Sequence, residues 1–358
     1  MPLVPDVADL TSQLGEYIAT TELADAFAMI ASQLREDGAL SPNIEAILTH
    51  IRSLRQAAGS QEARGLSAAQ LQQLDDELCN KIVQIADQKL PSCDTPYHHL
   101  AVWTVSAARD FPVQFFTANY DLLLEQALED RRAPYFDGFV GSRQAFFDPY
   151  AMEEDRLPSR WSRVWKLHGS INWMLDDSGN VYRASEPKPG AARVIHPSHL
   201  KYEESRRMPY LAMVDRLRAF FTQAKPPLLV TCGYSFRDQH INESLQQGLR
   251  GNPKAMAFCL VYGKIECYPL ALQLALTRPN LSLLAEDAAV VGTRQAVWAD
   301  RSESSSSPAS NAREAPGNQG DSTGGRGLFP LGDFREFALF IRELVGRKGM
   351  PGRAANGS

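Results

Sequence analysis

Residues 111–130 limit the fold of this chain more than any other stretch. Val113–Phe116 is a short apolar run rich in strand formers. It stops at Thr117-Ala118-Asn119-Tyr120-Asp121, and Leu122–Leu128 then resumes with helical spacing. A strand that feeds a helix through a polar turn puts the turn at the carboxyl edge of a sheet, where open α/β sheets bind ligands. The pattern recurs twice. Arg163-Val164-Trp165-Lys166-Leu167 reads as a buried strand ending at His168-Gly169-Ser170. Pro227–Cys232 runs into Gly233-Tyr234-Ser235-Phe236-Arg237-Asp238. Three strand ends thus carry polar or glycine-bearing turns, and the pattern predicts that they share one crevice.

The three motifs TANYD, KLHGS and GYSFRDQHIN, in that order, resemble the bacterial sirtuin-like family, whose members hydrolyse NAD+. Arg193-Val194-Ile195-His196-Pro197 with Leu200-Lys201-Tyr202 looks like the family's segment after its histidine, and Leu281–Gly292 like its last strand. The resemblance covers roughly residues 40–300. It implies an α/β fold with a doubly wound parallel sheet, Rossmann-like, and a helical N-terminal layer. Two features depart from the family. Sirtuin deacetylases usually hold a structural zinc through two CxxC pairs, and a tetrahedral site needs four such ligands close together. The five cysteines here, Cys79, Cys93, Cys232, Cys259 and Cys267, form no CxxC pair, so no metal is expected. Their number and spacing suggest buried small hydrophobes rather than disulfides. The family also opens with a strand and a Gly-Ala-Gly-x-Ser turn that cradles a pyrophosphate at a helix N-terminus. Met1–Pro5 looks like the segment just after that turn. A misplaced start codon and a natural loss are the two explanations, and either predicts weak NAD+ affinity for the polypeptide as written.

Composition sets outer limits. A net charge of −5 supplies no global attraction to nucleic acid or anionic membranes. No stretch approaches the roughly 20 apolar residues of a membrane span, and MPLVPDVADL lacks the basic and apolar parts of a signal peptide. The expectation is a cytoplasmic protein without direct nucleic-acid or membrane binding.

Residues 1–110 read as mostly helical. Val7–Ile18 and Glu22–Leu34 are amphipathic, Ser41-Pro42 opens a helix through Ile51, and Ser67 with Gln70 forms a capping box before Leu71, Leu74, Leu78, Ile82 and Ile85. Tyr97–Ala108 is a fifth helix. The charges of this half are expected on outer faces. Residues 134–160, with several prolines, glycines and aromatics, suggest a long ordered loop positioned as a lid. A hairpin is expected at Trp173–Leu175 and Val181–Arg183, helices at Pro209–Thr222 and His240–Leu249, and strands at Ala255–Val261 and Leu281–Leu284. Five strands alternating with helices fit one doubly wound sheet. Residues 1–300 are therefore read as one sirtuin-like NAD-binding domain. Residues 301–326 are almost devoid of apolar side chains and are expected to be a disordered linker. Residues 327–358 form a C-terminal helix and tail, the helix packing through its phenylalanine face.

Taken alone, Asn119 reads as a turn or cap asparagine. The resemblance instead gives it the family's catalytic role, holding the nicotinamide-side ribose and a water. His168 stands where the family has its catalytic histidine, and an imidazole can accept a proton near neutral pH. By the same resemblance, Thr117, Ala118, Asp121, Gly169 and Ser170 line the cofactor site, with Asp121 also suited to capping the following helix. Gly233 and Ser235 contact the adenosine-side ribose, Tyr234 and Asp238 belong to the cofactor site in the same turn, and Asp287 faces the adenine. The implied activity is NAD+ glycohydrolysis, with NAD+ as substrate, in antiphage defence, in a homo-oligomer that pairs with a HerA-type ATPase or another defence sensor. A non-catalytic NAD+ or ADP-ribose module and an NAD-dependent protein deacylase are the alternatives.

Overall fold

The computed structural model describes residues 3–39, 41–58, 61–176, 178–184, 192–195, 209–223, 225–298 and 328–348. The expected linker 301–326 and the family-like residues His196, Pro197 and Leu200–Tyr202 lie outside these. The chain divides into two compact units, Met1–Asp215 and Arg216–Ser358.

The first unit opens with five helices: α1 (Val7–Ile18), α2 (Ala24–Glu36), α3 (Ile44–Ala58), α4 (Ala68–Ala86) and α5 (Pro96–Val105). Each start has a local cause. The Asp6 carboxylate accepts from the amides of Ala8 and Asp9 at 2.8 and 2.9 Å. The Ser67–Gln70 capping box forms as expected, after the small hairpin β1 (Glu62–Ala63) and β2 (Leu66–Ser67). Thr95 caps α5, with Pro96 in its first turn, where a missing N–H is harmless. Leu10, Leu14 and Ile18 of α1, Ile47, Leu48 and Ile51 of α3, and Leu71, Leu74, Leu78 and Ile82 of α4 meet in one core. Each such side chain contributes roughly 1.5–3 kcal/mol when fully buried. Tyr120 and Ile171, from the motif turns, join this core. Not every charge lies outside: Asp75 is buried, bonded by Arg52 Nε at 3.0 Å, because an ion pair offsets the desolvation of both groups.

The rest of the first unit is sheet. β3 (Gln114–Thr117), β7 (Ser162–Lys166) and β4 (Tyr135–Phe136) form a parallel three-stranded sheet in the order β3-β7-β4. Helix α6 (Leu123–Asp130) follows β3. β5 (Phe139–Val140), β6 (Ala145–Phe147), β8 (Gly169–Leu175), β9 (Val181–Arg183) and β10 (Ala192–Ile195) build an antiparallel sheet, β10-β8-β9-β6-β5. The expected hairpin is β8–β9. The expected loop at 134–160 is instead largely woven into these sheets as β4, β5 and β6, with helix α7 (Pro149–Glu154). Its aromatics explain the difference: Phe139 packs on Trp173 and Phe147, and Phe136 meets Trp165 edge-on. Gly138, at φ +90°, makes the turn between β4 and β5.

The second unit carries β11 (Leu228–Cys232), β12 (Met256–Leu260) and β13 (Leu281–Leu284), parallel in that order. β14 (Ala288–Val291) and β15 (Arg294–Val297) continue antiparallel. The expected last strand, Leu281–Gly292, is thus a hairpin, β13 and β14, turning at Ala285–Asp287. Parallel pairing, as in the expected parallel sheet, forms within each unit, β3-β7-β4 in the first and β11-β12-β13 in the second. Helices Gln239–Gly251 and Pro269–Thr277 connect the parallel strands. The C-terminal helix, Phe334–Lys348, docks by Ala338 and Ile341; of the phenylalanines expected to pack, Phe334 and Phe337 are half-buried and Phe340 is 42% exposed. Gly332 lets the preceding turn lie directly on the Val261 carbonyl. Cys79 and Cys259 are buried, Cys232 is half-buried, and Cys93 and Cys267 are exposed, against the expectation that all five are core residues. No helix among the described residues is long and apolar enough to cross a membrane.

Candidate functional site

The pairing of β3 with β7 sets Thr117 opposite Lys166. Asn119 and His168 therefore each stand two residues beyond the carboxyl ends of neighbouring parallel strands. Two bonds tie the turns together. The Leu167 amide donates to the Thr117 carbonyl at 2.8 Å, and the Ile171 amide donates to the Tyr120 carbonyl at 2.9 Å. The Asn119 amide donates to Thr117 Oγ1 at 3.1 Å, and Asn119 is exposed. His168 is buried, its Nδ1 3.5 Å from Glu45 Oε1 of α3. Gly169, at φ +82°, reverses the chain so that β8 leaves at once, a conformation open to glycine but costly for other residues. Ser170 is fully buried, and its Oγ has no hydrogen-bond partner among the described residues.

Asp121 does local structural work. Its Oδ1 accepts from the Leu123 amide at 3.0 Å, closing the turn into α6. Burial raises its pKa above the ordinary carboxylate value, and nearby Lys166 opposes that rise. Lys166 is 2% exposed; its Nζ donates to Glu125 Oε1 at 2.9 Å and to the Asp121 carbonyl. One buried ammonium thus staples the end of β7 to the turn and first helical residues after β3. Burial also raises the Tyr120 phenol, with the Glu45, Asp121 and Cys79 charges adding to the effect. Thr117 and Ala118 are half-buried at the mouth of the same turn.

A cavity of about 250 Å³ lies elsewhere in this unit, lined by Thr104, Arg109, Val113, Pro134 and Ser162 among others. Those residues flank the amino ends of β3, β4 and β7, so the cavity opens at the sheet edge opposite Asn119 and His168.

Residues 113–273 match the family model of the SIR2-like domain. That stretch, under half the chain, contains all three motifs that carry the resemblance. SIR2-like domains are often NAD-using enzymes. No curated protein matches the chain.

Within the second unit, the SIR2-like stretch holds the third motif. Gly233, at φ +72°, is exposed, and a side chain there would meet nothing within 4 Å, so the backbone is open to close approach by a ligand. Ser235 is exposed beside it. Phe236 is fully buried at φ +59°, strain that holds the turn in one shape. The Tyr234 hydroxyl donates to Asn242 Oδ1 at 2.7 Å, and Asn242 returns a bond to the Phe236 carbonyl. Asp238 caps the next helix through the Ile241 amide at 2.8 Å. The Asp287 carboxylate accepts from the Ile265 amide at 2.9 Å.

Sequence reading singled out Asn119, His168 and the glycine turns but gave no role to Glu45, Glu125 or Lys166. A lysine inside an otherwise apolar buried strand signals a buried ion pair, and Glu125 interrupts an apolar helix face in the same way. Glu45 gives no such signal, because its meeting with His168 is purely tertiary.

Proposed function

We propose that this chain is an NAD+ glycohydrolase, releasing nicotinamide and ADP-ribose. The observation that carries the reading is the register Thr117↔Lys166, which brings Asn119 and His168 to equivalent positions on adjacent strand ends inside the SIR2-like stretch. The bond that breaks joins the nicotinamide nitrogen to C1′ of its ribose, and the electron pair leaves with the nicotinamide, discharging its ring. A water oxygen bonds to C1′. His168 accepts the proton that the water loses, and the Asn119 carboxamide orients the water and the ribose hydroxyls. The ribose passes through an oxocarbenium-like state, which suits a site of oriented dipoles. Thr117, Ala118, Gly169 and Ser170 are proposed to border the nicotinamide side, and the buried Ser170 hydroxyl, without a hydrogen-bond partner among the described residues, fits a polar contact to it. Asp121 is proposed to support that turn. Gly233, Tyr234, Ser235, Asp238 and Asp287 are proposed to serve the adenosine half. We extend the reading to a cellular role: NAD+ depletion in bacterial antiphage defence, by a homo-oligomer working with an ATPase or another sensor.

The test is nicotinamide release from NAD+, with and without an acetylated peptide. Release without peptide is expected. Asn119→Ala and His168→Ala should each lower it about a hundred- to ten-thousand-fold at unchanged melting temperature. Release only with peptide would make the protein a deacylase, and binding without turnover a nucleotide-sensing module. Near-normal turnover by His168→Ala would remove this mechanism.

A further inference from the structure

We propose that the cavity at the amino edge of the sheet β3-β7-β4 is a second ligand site, suited to a phosphomonoester whose organic part has an apolar face. Its walls come from residues 104–113 and 159–162, with Pro134 between them. Two arginines, Arg109 and Arg160, line it, and no carboxylate does. Asp110 and Asp155, the acidic residues of these segments and their flanks, are not part of the lining, and Asp155 accepts from Arg163 Nε at 2.6 Å.

Arg109 is fixed in place. Its Nη1 donates to the Thr104 and Ala107 carbonyls at 2.7 and 3.0 Å, and its Nη2 donates to the Trp103 carbonyl at 2.8 Å. The guanidinium also lies over the Trp103 ring, 4.7 Å from its centre. These bonds close the carbonyl end of α5 and leave two of a guanidinium's five N–H groups uncommitted among the described residues. Burial lowers the Arg109 pKa, and no carboxylate acts against that shift. Arg160 is exposed and makes no ion pair or hydrogen bond among the described residues. Ser159 and Ser162 add hydroxyls to the lining. The Ser162 amide donates to the Pro134 carbonyl at 2.9 Å, and the Trp161 amide donates to the Pro158 carbonyl at 3.0 Å, so the turn that carries both serines and Arg160 is held at each end.

The ligand class follows from charge and size. Two cations without a counter-charge match a dianion. A phosphomonoester carries close to two negative charges at neutral pH, a carboxylate one. Guanidinium N–H groups and serine hydroxyls are the donors that phosphoryl oxygens accept. The cavity, about 250 Å³, holds more than a phosphoryl group, since one water occupies about 30 Å³ of liquid. Val105, Val113 and Pro134 give the remaining space an apolar wall. The site lies at the edge opposite Asn119 and His168, so it does not rest on the hydrolase reading.

The experiment is calorimetric titration of the full chain with phenyl phosphate, inorganic phosphate and benzoate. Phenyl phosphate should bind tightest, inorganic phosphate more weakly for want of an apolar body, and benzoate at least about tenfold more weakly for want of the second charge. Arg160→Gln should weaken phenyl phosphate about ten- to a hundred-fold, the loss expected of a hydrogen bond to a charged group. Its melting temperature should match wild type, because Arg160 has no bond to lose among the described residues. Arg143→Gln removes an exposed charge outside the cavity and should bind as wild type does. No heat with phenyl phosphate overturns the proposal, as does an affinity unchanged in Arg160→Gln, which would place the probe elsewhere. An equal loss in Arg143→Gln would reduce the binding to general charge attraction, and equal affinity for benzoate would refute the phosphate assignment. A chain that releases no nicotinamide defeats the hydrolase reading and leaves these outcomes to decide the cavity.

Discussion

Replacing Lys166 by methionine removes one charge from a buried pair and nearly preserves volume. The packing cost of such a swap is small, usually below about 1.5 kcal/mol. The electrostatic cost is larger, because Glu125, itself buried, keeps its carboxylate without a cation 2.9 Å away. Leaving one member of a buried pair uncompensated costs about 3–5 kcal/mol. An exposed pair would lose only about 0–1 kcal/mol, and at 2% exposure Lys166 does not belong to that class. A unit of this size loses about 2–4 °C of melting temperature per kcal/mol, so Lys166→Met should melt roughly 6–20 °C lower. Lys166→Met with Glu125→Leu removes both charges and should recover most of the loss. Differential scanning calorimetry of the three proteins at neutral pH decides it. A single variant melting within about 2 °C of wild type, or a double variant no better than the single, would refute the buried staple.

Two further outcomes concern packing and pH. In Gly332→Ala the new Cβ would fall 2.0 Å from the Val261 carbonyl oxygen, and backbone cannot swing aside as a side chain can. The urea midpoint of the second unit should drop by the equivalent of about 1–3 kcal/mol, and an unchanged midpoint would show that the turn does not lie on Val261. Burial raises Asp121, so the native state binds its proton more tightly than the unfolded chain does, and stability falls as pH rises from the ordinary value of 3.8 through the raised one. Asp121→Asn keeps an oxygen for the Leu123 amide and loses the charge. Its advantage over wild type should vanish in acid below 3.8 and grow above it, whereas a pH-independent gap in urea midpoints would contradict the sign.

Much of the molecule was legible because its signals are local. The Ser67–Gln70 cap, the stripe Leu71–Leu74–Leu78–Ile82 and the turn after each parallel strand follow from residues within a few positions of one another. The strands β4, β5 and β6 were not legible. Two or three residues carry no periodicity, and Phe136, Phe139 and Phe147 find their partners across the sheets rather than along the chain. The hairpin at Leu281–Val291 was hidden because both arms are apolar and the turn has no glycine or proline. Of the candidate site, the positions of Asn119 and His168 could be read from the motifs, but their common register depends on strand pairing 49 residues apart in sequence. Glu45 was out of reach for the same reason: α3 reads as an ordinary amphipathic helix, and only folding brings its first turn to the end of β7.

The segment recognisable as SIR2-like begins at residue 113, yet the floor beneath its turns is laid by residues that precede it. Tyr120 and Ile171 rest on side chains from Leu10 to Ala86. The part of the chain that looks inherited and the part that folds together are therefore not the same part. A fragment trimmed to the recognisable boundary would keep Asn119 and His168 but strip the surface that holds their turns in place. Substitutions in those helices would therefore reach the turns that carry Asn119 and His168 without altering a single motif residue.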